Sequence, residues 1–339
     1  MKNDNYEVLL KALSNRPKLM ITTHRSPDGD AMGSSLALYQ VLKSLGHDVS
    51  VVVPNSYPKF LNWLPFNDDV LEYEGHEAKA KELINSASII FCLDFNDLRR
   101  TDMMYEALNE ASATFVMIDH HQDPSDFADI MFSVPGISST AQLVYEFIKQ
   151  MGWKDQLNVD VAKCIYTGIV TDTGSFRFSS VDAQTHEIAA DLIKIGLSQA
   201  DVHQKLFDTN KESRLKLLGY CLSEKLEVLP EYQTAIMSLD KEELDRFNFV
   251  KGDTEGFVNY ALSIDGVIFT AFFVKNEDKV KISFRSLNDF RANLLSKKYF
   301  NGGGHINAAG GVFNGEIKEA IERFKNILPE YKEELLANR

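Results

Sequence analysis

Lys18-Leu19-Met20-Ile21-Thr22-Thr23-His24-Arg25-Ser26-Pro27-Asp28-Gly29-Asp30 is the stretch on which the reading of this chain turns. Its first part, Lys18 to Thr23, is an apolar run of strand length around Leu19, Met20 and Ile21. Its second part carries one histidine and two aspartates within seven residues, bent by Pro27 and Gly29. Beyond it, Leu36, Ala37, Tyr39, Leu42 and Leu45 recur at helical spacing over 31–45. The polar loop therefore stands at the carboxyl end of a strand, which is where open α/β sheets bind ligands. An imidazole and two carboxylates aimed at one point suit a hard divalent cation. The same residues also read as a plain polar loop that ends in a helix cap at Asp30.

The design recurs. Ile89-Ile90-Phe91-Cys92-Leu93 ends on Asp94, and Phe115-Val116-Met117-Ile118 ends on Asp119-His120-His121. Strands at 18–23, 48–53, 88–94 and 114–119 alternate with helices at 31–45, 76–86 and 101–110, after a leading helix at 4–15. That alternation predicts βαβ units and a mostly parallel sheet, with Asp and His delivered along one rim. Helices at 139–151 and 158–171 follow, the second running into Thr171-Asp172-Thr173-Gly174, and further helices occupy 182–195, 198–208 and 210–222. The character then changes to strands at 226–229, 233–239, 267–274 and 279–285 with short helices between. The predicted fold class is α/β: a parallel-sheet domain over 1–195, a helical linker over 196–221 and a smaller α/β domain over 222–339. Near its end a Gly-rich turn, Gly302-Gly303-Gly304-His305, precedes Ala308-Ala309-Gly310-Gly311, and an amphipathic tail helix fills 315–337.

Length and composition agree with two globular domains: 339 residues, 44% hydrophobic and 25% charged. The net charge of -13 argues against a broad basic face for long duplex nucleic acid. A short anionic substrate needs only local positive charge, from a metal and a few arginines. Cys92, Cys164 and Cys221 are far apart in apolar segments, so they are expected in the core rather than in disulfides or a thiolate metal site. MKNDNYEVLL has neither the basic nor the apolar region of a signal peptide, and no run reaches the roughly 20 apolar residues of a membrane span. The expectation is a cytoplasmic protein without membrane partners.

Taken in order, His24-x-x-x-Asp28-x-Asp30, Asp94, Asp119-His120-His121 and Asp172 in Gly-Ile-Val-Thr-Asp-Thr-Gly resemble the four N-terminal motifs of the DHH phosphoesterases. Gly302-Gly303-Gly304-His305 with Ala308-Ala309-Gly310 resembles the C-terminal signature of the branch that contains RecJ and the bacterial nanoRNase/pAp phosphatases. The resemblance spans 18–312 and implies a cofactor of two manganese ions (Mn²⁺) per chain. It assigns His24, Asp28 and Asp94 to one ion and Asp30, Asp94, His120 and Asp172 to the other, with Asp94 bridging. A donor set of carboxylates and imidazoles without thiolate agrees with such an oxygen-loving ion.

The likeness further makes Asp119 a carboxylate that orients an imidazole, the alternative being a strand-end cap, and His121 a contact on the substrate side, the alternative being a solvated neighbour. Arg285, Gly302, Gly303, Gly304 and His305 are implied to hold the non-scissile end of the substrate, with Arg285 as a surface strand residue the plainer option. Arg99, Arg100 and Arg177 receive no assigned role. The implied enzyme cuts short oligoribonucleotides to 5′ mononucleotides and also acts on pAp, with substrate in a cleft between domains and a homodimer left open. Two rivals stand beside it: a phosphodiesterase for cyclic di-AMP or linear dinucleotides, and a nucleotide-binding regulator without catalysis. A family-II pyrophosphatase shares the N-terminal motifs but lacks the Gly302 to His305 signature.

Overall fold

Alternation of side chains along short apolar runs sets the architecture of the first half. The structure, a computed structural model, describes residues 3–276 and 279–338. These fall into two units, Met1–Thr209 and Asn210–Arg339. The stretch 196–221, read as a linker, is divided between them: one of its helices belongs to the first unit and the other to the second.

The first unit runs α1 (Asn3–Leu13), β1 (Leu19–Thr23), α2 (Gly29–Ser44), β2 (Val49–Val53), β3 (Val70–Glu72), α3 (Glu77–Ser86), β4 (Ile89–Leu93), α4 (Tyr105–Asn109), β5 (Thr114–Asp119), β6 (Ile130–Ser133), α5 (Thr140–Gln150), α6 (Val159–Asp172), α7 (Ala183–Lys194) and α8 (Gln199–Phe207). Its strands form a parallel sheet in the order β3-β2-β1-β4-β5-β6. Strand order reverses between β1 and β4, so the crevice between those two strands is the natural ligand site of a doubly wound sheet. Ile21, Val53, Phe91, Leu93, Val116 and Ile118 face one core with α1, α2, α5 and α6, while Met20, Val52, Ile90, Cys92 and Phe115 face the other with α3 and α4.

The helix spacing over 31–45 suggests one apolar stripe, yet α2 is buried on every side from Gly29 to Leu42. It lies between the sheet and the pair α5 and α6, and a helix covered all round needs no polar face. Glycines make that contact close. A Cβ on Gly33 would lie 2.4 Å from the Cys164 carbonyl oxygen, and one on Gly168 would lie 2.4 Å from Ala141 Cβ and 2.6 Å from Asp30 Oδ1.

The second unit runs α9 (Glu212–Glu224), β7 (Glu227–Leu229), β8 (Thr234–Leu239), α10 (Lys241–Arg246), α11 (Phe257–Leu262), β9 (Phe269–Asn276), β10 (Lys279–Ser286), α12 (Ala292–Tyr299), β11 (Gly303–His305), β12 (Ala308–Asn314), α13 (Ile317–Ile327) and α14 (Lys332–Ala337). Its mixed sheet is ordered β11-β12-β10-β9-β8-β7, with β8 and β9 parallel and the other pairs antiparallel. Phe269, Phe284, Phe300 and Phe324 dominate one core, and Leu217, Cys221, Met237 and Phe257 the other.

Several local expectations are corrected. The predicted helix over 101–110 is a 3-10 stretch, Leu98–Met104, kinked at Asp102 and followed by the short α4. The edge strands β3 and β6, of 3 and 4 residues, are too short to announce themselves by periodicity. The tail helix breaks into α13, a 3-10 turn over Leu328–Tyr331 and α14, because Pro329 has no N–H for a helical bond and opens the new turn. All three cysteines are free and buried, as their setting predicts. Among the described residues no helix is long and apolar enough to cross a membrane.

Candidate metal centre

Strand register brings the first motifs into line. Thr23 pairs with Leu93 and Leu93 with Ile118, so His24, Asp94 and Asp119, each one residue further on, stand in a row across the ends of β1, β4 and β5. Asp94 sits at φ 64, a left-handed conformation that a non-glycine residue rarely holds unless its surroundings impose it. Its carboxylate is buried, and its two oxygens point in different directions. Oδ2 lies 3.4 Å from His24 Nε2, while Oδ1 lies 3.6 Å from His120 Nε2 and accepts a hydrogen bond from Thr140 Oγ1 at 2.9 Å.

Two clusters result. Ligand atoms of His24, Asp28 and Asp94 lie within 4.8 Å of one another, and so do those of Asp30, His120 and Asp172. His24 Nε2 is 3.9 Å from Asp28 Oδ2, and His120 Nε2 is 3.9 Å from Asp30 Oδ2 and 3.6 Å from Asp172 Oδ2. Both imidazoles face a peptide carbonyl through Nδ1. His24 Nδ1 is 2.8 Å from the Arg25 carbonyl and His120 Nδ1 is 3.0 Å from the Ile137 carbonyl. A carbonyl only accepts, so each Nδ1 donates and each Nε2 faces carboxylate oxygens, where it carries a proton in the charged ring or offers a lone pair to a cation in the neutral one. Carboxylates gathered this closely repel one another unless positive charge, a proton or a cation, lies between them. The separations exceed the usual 2.7–3.2 Å of an N–H···O bond. The His24–Asp94 separation of 3.4 Å falls at the upper end of the roughly 3.0 to 3.4 Å expected of two atoms each about 2.1 Å from one ion, and the others are somewhat wider. The residues of these clusters could hold divalent metal.

Helix ends and buried charge point the same way. Asp28 is the cap of α2: its Oδ1 accepts the N–H groups of Asp30 and Ala31, 3.0 Å each, which leaves Oδ2 for the cluster. The cap is therefore Asp28 and not Asp30. Asp30 is fully buried and accepts from the Thr140 N–H at 2.6 Å and the Ala141 N–H at 2.8 Å, the first turn of α5. Asp172 ends α6, where the helix dipole is negative and a bare carboxylate is disfavoured. Burial, and then the charges of Asp94, Asp172 and Asp28, hold the Asp30 carboxyl well above the usual carboxylate range. At Asp94 burial acts in the same sense but is outweighed by the imidazoles of His24, His121 and His120, and its carboxyl is held far below that range. Burial works to lower His24 and His120, yet the carboxylates around them raise both.

Behind the clusters, Asp119 accepts twice from His121: Oδ1 from Nδ1 at 2.7 Å and Oδ2 from the backbone N–H at 3.1 Å. His121 is buried rather than solvated, and burial, opposed by Asp119, lowers its pKa. Sequence reasoning missed Thr140, which reaches Asp94 and Asp30 from a distant segment; Ser138-Ser139-Thr140 before an apolar run carries the signal of a helix start, with Ser139 as the cap. Of the unassigned arginines, Arg177 donates from Nε to the Gly174 carbonyl and clasps the loop after Asp172, and exposed Arg99 lies 3.8 Å from Asp97.

In the second unit, Arg285 on β10 and His305 on β11 both pair with Ala308 of β12. Opposed residues share a sheet face, so the two side chains flank small Ala308 about two strand spacings, roughly 9–10 Å, apart. Arg285 is half-buried and also donates from Nη1 to the Phe284 carbonyl. The glycine run, read as an open turn, is the edge strand β11 with a close approach at Gly302, where a Cβ would lie 2.1 Å from Ser296 Oγ. Gly304 has φ 137 and Gly303 faces open space.

Residues 18–169 match the DHH family, N-terminal domain, and residues 233–334 match the DHHA1 domain. The chain is 29% identical, over 89% of its length and 91% of the relative's, to the bifunctional oligoribonuclease and PAP phosphatase NrnA of Bacillus subtilis. It is 30% identical to the protein of the same name from Thermus thermophilus, over 94% of its own length and 90% of the relative's. Among solved structures, an exopolyphosphatase-related protein from Bacteroides fragilis superposes with a TM-score of 0.95 at 42% identity, covering 98% of each chain. RecJ from Thermus thermophilus, in complex with Mn²⁺, shares the fold at 13% identity and a TM-score of 0.55, with 98% of this chain matched to 54% of that one. This chain belongs to the DHH family of phosphoesterases and carries the DHHA1 domain.

Proposed function

We propose that this DHH-family hydrolase is a manganese-dependent phosphoesterase that shortens oligoribonucleotides of a few residues to 5′ mononucleotides and converts pAp to AMP. The observation that carries the reading is Asp94, with one oxygen toward His24 and the other toward His120. In this reading His24, Asp28 and Asp94 hold one cation, and Asp30, Asp94, His120 and Asp172 hold the second. Two such ions, when bound, would lower the pKa of a water and offset the charge of the phosphoryl oxygens. The choice of manganese is supported by the oxygen and imidazole donors and by the Mn²⁺ complex of RecJ.

The chain's own residues do the rest. Hydrolysis joins a water oxygen to phosphorus, breaks one P–O bond and returns a proton to the leaving oxygen. His121, with Nδ1 donating to Asp119, turns Nε2 to the substrate side, where a proton can be held or passed. Asp119 positions that ring. Arg285 and His305 take the far end of the substrate, Arg285 by the planar fork that suits phosphate oxygens. The choice of short RNA and pAp follows the two NrnA relatives, and the acidic balance of the chain disfavours long polyanions. A cytoplasmic location belongs to the same proposal.

Chromatography of products after incubation with Mn²⁺ tests it, with pAp, end-labelled di- to pentanucleotides, cyclic di-AMP and polyphosphate supplied separately. Mononucleotides from the short RNAs and AMP from pAp are expected. Turnover of cyclic di-AMP alone would move the protein toward the activity named for the GdpP phosphodiesterase of Bacillus subtilis, which is 25% identical but matched over only 49% of its length. Release of phosphate from polyphosphate alone would overturn the nucleotide reading.

A further inference from the structure

Arg25, Arg99 and Arg100 lie on the segments that follow His24 and Asp94, and among the described residues only Arg100 of the three has no acidic partner. Arg25 Nη1 lies 3.1 Å from Asp102 Oδ2, and Arg99 lies near Asp97. Arg100 is half-buried and, among the described residues, has no carboxylate within ion-pair distance. Its main chain is fastened to the first motif, since the Arg25 N–H, next to His24, donates to the Arg100 carbonyl at 2.7 Å. Its positive charge is felt by both His24 and His121. The segment that carries it is kinked. Asp102 has φ 50 and ψ -109, a conformation L-residues rarely adopt; it follows the buried Thr101, and its carboxylate meets Arg25. A half-desolvated guanidinium without a counter-ion, set beside imidazoles and a cation-binding cluster, is awkward until an anion arrives.

We propose that Arg100 is a substrate-binding residue that grips a non-bridging oxygen of the phosphate being hydrolysed. The proposal rests on the phosphoesterase reading of the site above. Arginine is suited to it because its fork meets two phosphate oxygens at once and keeps its charge at any working pH. Arg25 and Arg99, already paired, leave Arg100 as the cation of this group that serves the ligand.

Calorimetric titration of inorganic phosphate into the Mn²⁺-loaded full chain reads this contact without turnover. Arg100→Gln should weaken phosphate binding by about ten- to hundredfold, the usual range for a lost charge-assisted contact, with metal content and melting temperature as in wild type. Arg100→Lys, which keeps the charge and loses the fork, should fall between the two. Arg99→Gln should bind as wild type does. Phosphate affinity unchanged in both Arg100 variants, absence of phosphate binding by wild type, or loss of metal in step with loss of phosphate would overturn the proposal; the last would make Arg100 a structural charge. Hydrolysis of bis(p-nitrophenyl) phosphate by wild type is scored separately. A chain that turns over this diester while Arg100→Gln binds phosphate normally keeps the phosphoesterase reading and loses this one.

Discussion

Gly168→Ala tests whether the centre depends on the closeness of three helices. Gly168 lies on α6, and an added Cβ would meet Ala141 Cβ of α5 at 2.4 Å and Asp30 Oδ1 of α2 at 2.6 Å. Carbon atoms in contact need about 3.5 to 4.0 Å, so the helices must part by about 1 Å. Overpacking of that kind costs about 1–3 kcal/mol. Asp30 cannot retreat without loosening its bonds from the Thr140 and Ala141 N–H groups, and one weakened bond to a charged acceptor adds about 1.5 kcal/mol. The sum is about 3 kcal/mol, or a fall of about 6–12 °C in the melting of a unit of this size. The assay is calorimetric melting with and without Mn²⁺, beside equilibrium dialysis of the metal. The variant should melt early and gain less from Mn²⁺ than wild type does, since ligand stabilisation follows affinity. Gly219→Ala is the control: that helical glycine is exposed with nothing within 4 Å of a Cβ, so alanine should stabilise by about 0.5–1 kcal/mol. A Gly168→Ala protein that melts and binds Mn²⁺ as wild type does would refute the packing account.

Two further substitutions separate the parts of the site. Asp94→Ala should abolish turnover and strip metal from both positions, read by metal analysis of dialysed protein; near-normal rate in that variant would sink the bridging role. Asp119→Asn replaces one acceptor with a donor facing His121, so kcat should fall about 10–100-fold while metal content stays at the wild-type level. Equal loss of metal and rate would mean that Asp119 supports the ligands instead of His121.

The sequence exposes what is local and hides what is distant. His24, Asp94 and Asp119 could be read because each ends an apolar run, and strand register does the rest. Asp28 as the cap of α2 was also within reach, but a loop with two aspartates offers two candidates and only the backbone path decides between them. Thr140 could not be found by spacing, since its bond to Asp94 spans 46 positions and depends on how α5 enters the layer beside α2. The edge strands β3, β6 and β11 escape for a different reason: they are short, and their partners fix them more than their own composition does. The buried circumference of α2 likewise follows from what packs around it and not from its own pattern.

His24 and His120 take their orientation from the peptide carbonyls of residues 25 and 137. Every amino acid brings the same oxygen to the main chain, so no point mutation at Arg25 or Ile137 can by itself erase the acceptor that fixes which ring nitrogen keeps its hydrogen. The aim of the imidazoles is thus insulated from the side chains at those two places, whose own work lies elsewhere: Arg25 meets Asp102, and Ile137 packs against the core of the first unit.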